Sequence, residues 1–251
     1  MNWRWIWKGS AGPGELIEEW LDERPLPAEL TAAVDARWDR RLAEARADGQ
    51  RLFDAPVAHL ESAEGLRLRL RPARYRHWDF CAGRQAEIEA EHGPGGVCRP
   101  LALCAALSSA DGQLLLQERS AKVAEGAGLL HVPGGHLEPP RHRGHGQSAA
   151  WRAMGEELRE ELNLEAADLD EGRLLGLGEN TENGKPELLF RFHCRLSADQ
   201  IRRRASGAED AYEYRDLLFV PLAELATWRA ENEKRLAVPS QALLSRLLEE
   251  A

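Results

Sequence analysis

The spacing of hydrophobic residues in the first third of the chain predicts two strands and a long helix. Near the N-terminus, WRWIWK alternates tryptophan with other residues, which is typical of a strand that has its tryptophans on one buried face. From about Pro27 to Asp48, apolar residues recur every four positions and predict an amphipathic helix. LRLRLR at 66–71 alternates strictly and predicts a half-buried strand.

The glycine-rich segment GPGG at 93–96 interrupts these patterns. Glycine and proline together break both helices and strands, so we place a domain boundary here. We therefore predict a smaller N-terminal α+β domain over residues 1–96 and a larger domain over residues 97–251.

The patterns after this boundary predict strands and helices in a mixed order. LALCAALSS and QLLLQERS flank an Asp-Gly turn and predict a hairpin, and LLHV predicts a further strand. LLGLGEN and ELLFRFHCRL predict two strands joined at Asn183-Gly184, and DLLFVPL predicts the last strand. Helices are predicted over 148–164, over SADQIRRRA with Ser197 as its N-cap, and over 221–231 and 239–250. Strands flanked by helices indicate a layered α/β or α+β fold.

Composition and charge exclude several classes of protein. Hydrophobic residues make up 43% and charged residues 30% of the chain, which is typical of folded globular proteins. The formal net charge of −9 argues against a nucleic-acid partner, because such a partner requires basic surface. The longest apolar run, LALCAAL, is far shorter than the ~20 residues of a membrane helix, so we expect no membrane association. Four cysteines without a CxxC pair, and an N-terminus without a secretion signal, predict reduced thiols in a cytoplasmic protein.

The helix predicted over 148–164 carries three glutamates on one face. Glu157, Glu160 and Glu161 are spaced three and four residues apart, so their carboxylates project from the same side. Like charges at this spacing repel each other, and a divalent cation would reverse the sign of that interaction. Carboxylate oxygens suit magnesium or manganese. A solvated acidic face is the alternative interpretation of these residues.

A glycine pair precedes the acidic helix and favours the metal site over the solvated face. Gly134 and Gly135 permit backbone geometry closed to other residues, and Glu138 follows them. A turn, an acidic residue and an acidic helix in succession form a composite signal for a binding site.

This stretch resembles the box motif of the Nudix hydrolases. The family pattern is Gly, five residues, Glu, seven residues, Arg-Glu, an aliphatic residue, any residue, Glu-Glu, any residue, Gly and an aliphatic residue. Gly135 occupies its first position, and the second half is matched in register by Glu157, Leu158, Glu160, Glu161 and Leu164.

The match also has departures from the family pattern. Seven extra residues, within PPRHRGHGQ, separate the glycine from the second half of the box. Glu156 stands where the family has arginine, Ser148 where it has glutamate, and Asn163 where it has glycine. The loss of the arginine removes a cation that in the family orients a catalytic glutamate, and Arg152, one turn before Glu156, is a candidate to neutralise it.

Three further segments are similar to the UDP-glucose pyrophosphatase branch of the Nudix superfamily. They are RLFDAPVAHL, YRHWDF at 75–80 and ERSAKVAEGAGLLHVPGGHLEP at 118–139, and the similarity extends from about Arg24 to Leu222. The resemblance implies a Nudix α/β/α sandwich over 97–251, preceded by the smaller N-terminal domain, which would contribute to substrate binding. It also implies magnesium-dependent hydrolysis of UDP-sugars, such as UDP-glucose or UDP-galactose, to UMP and a sugar 1-phosphate. Alternatives are another nucleoside diphosphate derivative such as ADP-ribose, or a Nudix domain that binds a nucleotide without cleaving it.

The resemblance further implies roles for individual residues. Glu157, Glu160 and Glu161 would hold the metal and act in catalysis. Glu213, before the last predicted strand, would be a further ligand or the general base, with a solvated loop glutamate as the alternative. The residues expected to bind substrate are Arg119, Lys122, Gly135, Asn180 and Glu187.

Two other sets of residues are weaker candidates for a site. His131, His136, His142 and His145 match no standard zinc spacing, and we interpret the segment around Gly144 and Gly146 as a mobile loop. The aromatic side chains of YRHWDF offer surfaces on which uracil could stack, yet such residues also serve in packing, so the base pocket is left unassigned. The sequence makes no prediction for the oligomeric state.

Overall fold

A computed structural model describes residues 2–123, 125–142, 144 and 148–250 of the protein. The strands are β1 (Trp3–Ala11), β2 (Ile17–Trp20), β3 (Pro56–Glu64), β4 (Arg67–Arg74), β5 (Ala102–Ser108), β6 (Gln113–Arg119), β7 (Leu130–His131), β8 (Gly134–His136), β9 (Arg173–Asn180), β10 (Lys185–His193) and β11 (Tyr214–Pro221). The α-helices are α1 (Ala28–Ala47), α2 (Tyr75–Cys81), α3 (Gln85–His92), α4 (Pro139–His142), α5 (Ala149–Leu162), α6 (Ala198–Ala205), α7 (Leu225–Asn232) and α8 (Val238–Glu250).

The larger sheet has the strand order β1-β9-β10-β5-β6-β11. The β10–β5 pair is parallel, and the other pairs along this path are antiparallel. The predicted hairpin of β5 and β6 is wrong beyond its turn, because the two strands pair only at Ser108 and Leu114. They then diverge, since β8 pairs with β5 and β7 pairs with β6. The glycine pair, which precedes α5 in the chain, therefore lies within the sheet.

Hydrophobic side chains alternate across this sheet and pack against helices on both faces. Leu103 and Leu107 of β5 belong to a core cluster with Leu158 of α5. Ala106 belongs to the cluster on the other face, with Leu243 of α8. Burial of one leucine side chain stabilises the fold by about 2 kcal/mol, so both helices are fixed by their apolar faces. The predicted α/β/α sandwich is confirmed.

The N-terminal part forms a second sheet, ordered β2-β4-β3, with α1 to α3 beside it. The first strand departs from this arrangement, because β1 pairs with β9 at the edge of the larger sheet. The tryptophans of β1 were predicted on one face, which is wrong for the third of them. Trp3 and Trp5 pack towards the α8 cluster and Trp7 towards the α5 cluster, since the pairing register shifts between Trp5 and Trp7. The division at residues 96 and 97 remains a prediction.

The four cysteines are free and buried. No helix in the described ranges has the length and apolar character needed to cross a bilayer.

Candidate active site

The glycine pair of β8 allows the chain to pass close to its neighbours. A Cβ atom on Gly134 would lie 2.3 Å from the carbonyl oxygen of Leu103, and one on Gly135 would lie 2.1 Å from Oε1 of Glu157. At Gly134 the obstacle is backbone, so this position requires glycine, whereas a side chain at 135 would displace the carboxylate of Glu157. The structure thus brings the turn against the first glutamate of the acidic face.

The acidic face of α5 is only partly solvated. Glu161 is 2% exposed, and its Oε2 accepts a hydrogen bond from Nε2 of Gln117 at 3.1 Å. Burial, followed by repulsion from Glu213, raises the pKa of Glu161 to about 8. Burial, followed by repulsion from Glu161 and Glu213, raises the pKa of Glu157 well above its usual range. This burial contradicts the alternative of a solvated acidic face.

Glu213 is placed near these carboxyl groups by a short 3-10 turn, Ala211–Glu213, just before β11. The turn lies against α5 and β6, since Asp210 N donates to Glu160 O at 2.9 Å and Ser120 N donates to Glu213 O at 2.8 Å. Burial raises the pKa of Glu213 as well. Carboxyl groups from two separate elements therefore repel each other in one region, although a role for Glu213 stays a prediction.

Two other glutamates of α5 contact side chains of the inserted segment, the cation Arg141 and the imidazole of His142. Arg141 Nη2 lies 2.7 Å from Oε2 of Glu156 and 2.6 Å from Oε1 of Glu160. His142 Nε2 lies 3.1 Å from the same oxygen of Glu156. The candidate ion pair of Arg152 with Glu156 is not formed among the described residues, where Glu156 contacts Arg141 and His142 instead.

The two remaining departures from the box motif have local structural explanations. Asn163 ends α5 with φ 55° and ψ 42°, the left-handed conformation that asparagine tolerates and glycine adopts most easily. Ser148 precedes α5, and its hydroxyl donates to Glu18 of β2 at 2.6 Å. The same carboxylate accepts from the backbone of Ala149 at 2.7 Å and of Ala150 at 2.9 Å. An acid from the N-terminal sheet therefore caps the acidic helix.

A cleft of about 550 Å³ lies beside these residues. Glu157, Glu160 and Glu213 line it, whereas the more deeply buried Glu161 does not. The N-terminal part also reaches the cleft through Arg51 and the 63% exposed side chain of Phe53. All the residues predicted to bind substrate line the cleft, namely Arg119, Lys122, Gly135, Asn180 and Glu187.

These predicted substrate residues differ in how firmly they are held. Arg119 donates from Nε to the backbone oxygen of Glu125 at 3.0 Å, and Asn180 accepts from the backbone of Glu182 at 3.0 Å within the turn after β9. Glu187 is 3% exposed, and burial raises its pKa to about 7. The side chain of Lys122 is exposed. Their location fits contact with a ligand, and their roles stay predictions.

A second carboxylate group in the cleft was not foreseen from the sequence. Tyr75 Oη donates to Oε1 of Glu125 at 2.6 Å, and Lys185 Nζ lies 2.7 Å from Oε2. Burial alone would raise the pKa of Glu125, but the charges of Lys185 and His136 and these hydrogen bonds lower it to about 2. Trp78 is 4% exposed, and its ring centroid lies 5.1 Å from that of Tyr75. Trp78 therefore serves in packing, whereas Tyr75 packs against it and also lines the cleft.

The donor groups on α5 suit a hard divalent cation. Glu157 and Glu161 offer carboxylate oxygens whose charges are mutually repulsive, and a bound cation would relieve that repulsion. In the described part of the chain, no three acidic, histidine or cysteine side chains already enclose a position for a metal ion. The carboxylates therefore fit magnesium by the chemistry of their oxygens.

The histidines are engaged separately from one another. His131 Nδ1 contacts the carbonyl oxygen of Val132, and His142 Nδ1 accepts from Glu138 N at 3.0 Å. His136 packs edge-on against Tyr75 with centroids 5.9 Å apart. His145 lies outside the described residues. Among those described, the histidines do not form a zinc site.

The chain is similar to known proteins over much of its length. The NUDIX domain profile matches residues 99–241. Over 247 residues the chain is 33% identical to human uridine diphosphate glucose pyrophosphatase NUDT22, covering 84% of this chain and 80% of the human protein. Nudix hydrolase 9 of Arabidopsis thaliana is 27% identical over 143 residues, covering 50% of this chain and 46% of the plant protein. The crystal structure of DR0079 from Deinococcus radiodurans has a TM-score of 0.42 and 19% identity, covering 58% of this chain and 81% of that one.

Proposed function

Because this chain belongs to the NUDIX domain family, we propose that it is a Nudix hydrolase that cleaves the diphosphate of UDP-sugars. It converts UDP-glucose, or a similar UDP-sugar, to UMP and a sugar 1-phosphate. The observation that carries the proposal is the group of buried, mutually repelling carboxyls beside the glycine turn and the cleft. The uridine preference is supported by the similarity to NUDT22 of human, bovine and mouse origin.

Glu157, Glu160 and Glu161 would hold magnesium, with manganese as an alternative cation. Bound at these carboxylates, the cation would neutralise the diphosphate and lower the pKa of water. The water oxygen forms a bond to one phosphorus while the bridging P–O bond breaks, so that the two phosphate products carry the atoms of water between them. Glu213 is our candidate to accept the proton, because its carboxyl lines the cleft and its pKa is raised by burial.

The remaining residues of the cleft would hold the two halves of the substrate. Arg119 and Lys122 are cations suited to phosphate oxygens. Gly135, Asn180 and Glu187 line the same cleft, and Phe53 and Arg51 from the N-terminal part complete its wall. The N-terminal domain would thus contribute directly to substrate binding. We expect the protein to act in the cytoplasm, where its four free cysteines stay reduced.

Phosphorus NMR tests this function. Purified protein is incubated with UDP-glucose or with ADP-ribose, each with magnesium and with a chelator. We expect UMP and glucose 1-phosphate to appear from UDP-glucose in the presence of magnesium. Turnover of ADP-ribose alone would disprove the substrate, and a rise in melting temperature with UDP-glucose without any turnover would indicate a nucleotide-binding Nudix domain.

A further inference from the structure

Helix α4, in the segment inserted before α5, is fixed to the acidic helix by a buried histidine. The backbone amides of Arg141 and His142 donate to Glu138 O at 3.2 and 3.0 Å. His142 is 2% exposed, its Nδ1 accepts from Glu138 N, and its Nε2 contacts Glu156 at 3.1 Å. Arg141 therefore projects from a short helix that is fixed by contacts at both ring nitrogens of the neighbouring His142.

The guanidinium of Arg141 lies between two carboxylates of α5. Its Nη2 atom contacts Glu156 and Glu160 at 2.7 and 2.6 Å. These glutamates are four residues apart and would repel each other on the helix surface. A cation between them changes that repulsion into attraction and fixes the direction of the Glu160 side chain, which is 13% exposed.

We propose that Arg141 is a positioning residue for Glu160, and that Glu156 is the anchor that holds Arg141 in place. This inference rests on the proposed function, in which Glu160 helps to hold the divalent cation. It explains two departures from the box motif together. The acid at 156 replaces the box arginine, and the inserted segment supplies an arginine from outside the helix, so a cation still pairs with Glu160 but now comes from a separate element.

Arg159 also contacts Glu160, at 2.9 Å from Nη2 to Oε1, but it cannot serve as the same device. Arg159 is the residue before Glu160 on the same helix, and its side chain is 41% exposed. It also lies 4.0 Å from Glu209. In the described part of the chain its ion pairs do not include Glu156. Arg141 joins both carboxylates from a separate element, and this is the arrangement that positions a ligand.

The test measures manganese binding to the metal-free protein by electron paramagnetic resonance, together with magnesium-dependent turnover of UDP-glucose. In Arg141→Ala we expect manganese affinity to fall by roughly 10- to 100-fold, with kcat falling alongside it, as is usual when a group that orients a metal ligand is lost. The melting temperature should stay near that of the wild type. Arg195→Ala is the matched control. Arg195 follows β10 in the chain and forms an exposed ion pair with Asp170, and neither residue lines the cleft.

Exchanging the charges at positions 141 and 156 tests whether the charge of Arg141, and not only the presence of its side chain, is needed. Arg141→Glu should be worse than Arg141→Ala, because it places a third acid beside Glu156 and Glu160. The double variant Arg141→Glu with Glu156→Arg restores a cation one turn from Glu160 and should recover at least part of the lost metal affinity relative to Arg141→Glu.

Two results would overturn the inference. One is manganese affinity and kcat of Arg141→Ala within about twofold of the wild type, against the loss expected for a positioning residue. The other is a lower melting temperature of Arg141→Ala with unchanged manganese affinity, which would make the contact structural. Should the wild type bind manganese but fail to cleave UDP-glucose, the proposed substrate is wrong, and the manganese measurements still decide the role of Arg141.

Discussion

Glu125 and Glu161 belong to neighbouring regions of one site, yet their pKa values shift in opposite directions. Glu125 has Lys185 at 2.7 Å and the hydroxyl of Tyr75 at 2.6 Å, and its pKa is lowered to about 2. Glu161 is more deeply buried, has the neutral amide of Gln117 as its hydrogen-bond donor, and has its pKa raised to about 8 by burial and Glu213.

The difference separates a carboxylate whose charge the protein compensates from the one that we propose as a metal ligand. The charge of Glu125 is already compensated by the protein, so it holds the cleft wall together. The charge on Glu157 and Glu161 is compensated by no ion pair from the described residues, so folding alone leaves it costly. Such uncompensated acids are what a cation site needs before its ion arrives.

The substitution Glu161→Gln should have the largest effect on activity. If activity survives it, the roles that we assign to Glu161 and Glu125 are wrong. We expect kcat with UDP-glucose and magnesium to fall by about a hundredfold or more, or at least ~2.7 kcal/mol in activation free energy. The melting temperature should not fall, because glutamine keeps an oxygen that accepts from Gln117 and replaces a carboxyl group whose ionisation is opposed by burial and by Glu213. Steady-state kinetics and thermal unfolding in chelator measure both. A kcat within about fivefold of the wild type would remove Glu161 from the metal set.

Glu125→Gln should show the reverse pattern. Its main effect should be a lower melting temperature, with a smaller effect on kcat. It leaves the 13% exposed Lys185 side chain without its anion and weakens a charged hydrogen bond to Tyr75. Hydrogen bonds to charged groups contribute about 1.5–3 kcal/mol, which corresponds to a fall of roughly 3–12 °C in melting temperature for a chain of this size.

A double-mutant cycle with Lys185→Met gives the control for this prediction. If the two residues stabilise the fold through their ion pair, the free energies of unfolding of the single variants should not add in the double variant. Additive values would show that Glu125 stabilises the fold by other contacts.

The pH dependence of stability should distinguish the same two kinds of carboxyl. The pKa of Glu187 is raised from 4.5 to about 7 by burial, so the folded state binds its proton more tightly than the unfolded state does. Its contribution to stability is therefore complete below pH 4.5 and is lost as the pH rises towards 7. Urea unfolding in chelator should show a steeper fall over this range for the wild type than for Glu187→Gln. Parallel curves would contradict the shift. For Glu125 the sign is opposite, since its contribution is lost as the pH falls from 4.5 towards 2.

The features that the sequence analysis located correctly are local along the chain. The predicted helix over 148–164 is α5 at Ala149–Leu162, and the amphipathic helix over 27–48 is α1 at Ala28–Ala47. Periodicity and a glycine pair before an acidic helix can be recognised within one short segment, because the geometry of a helix or a turn repeats at fixed spacing.

The features that it missed join residues that are distant along the chain. Glu18 caps α5 from 130 residues away, and Lys185 reaches Glu125 across 60 residues. The Arg141–Glu156 pair is nearer in sequence, but it replaces a one-turn contact within the helix by a contact between two helices. The β5–β6 hairpin was predicted too long for the same reason, since competition from β7 and β8 for its pairing edges is a tertiary effect. None of these has a signature in spacing.

Lys122→Ala should have the smallest effect. It extends the comparison from two carboxylates to two cations, Lys185 and Lys122. Unlike Lys185, whose side chain is 13% exposed in an ion pair with Glu125, Lys122 has an exposed side chain that lines the cleft. An exposed charge contributes roughly 0.2–1 kcal/mol, so we expect KM for UDP-glucose to rise by about 1.4- to fivefold with kcat and melting temperature unchanged. Lys234→Ala, at an exposed position outside the cleft lining, is the matched control.

The increase in KM should shrink in high salt, because screening already weakens the attraction of Lys122 for phosphate. An equal change in both variants would mean that the overall charge of the protein, and not a contact with the diphosphate, is responsible.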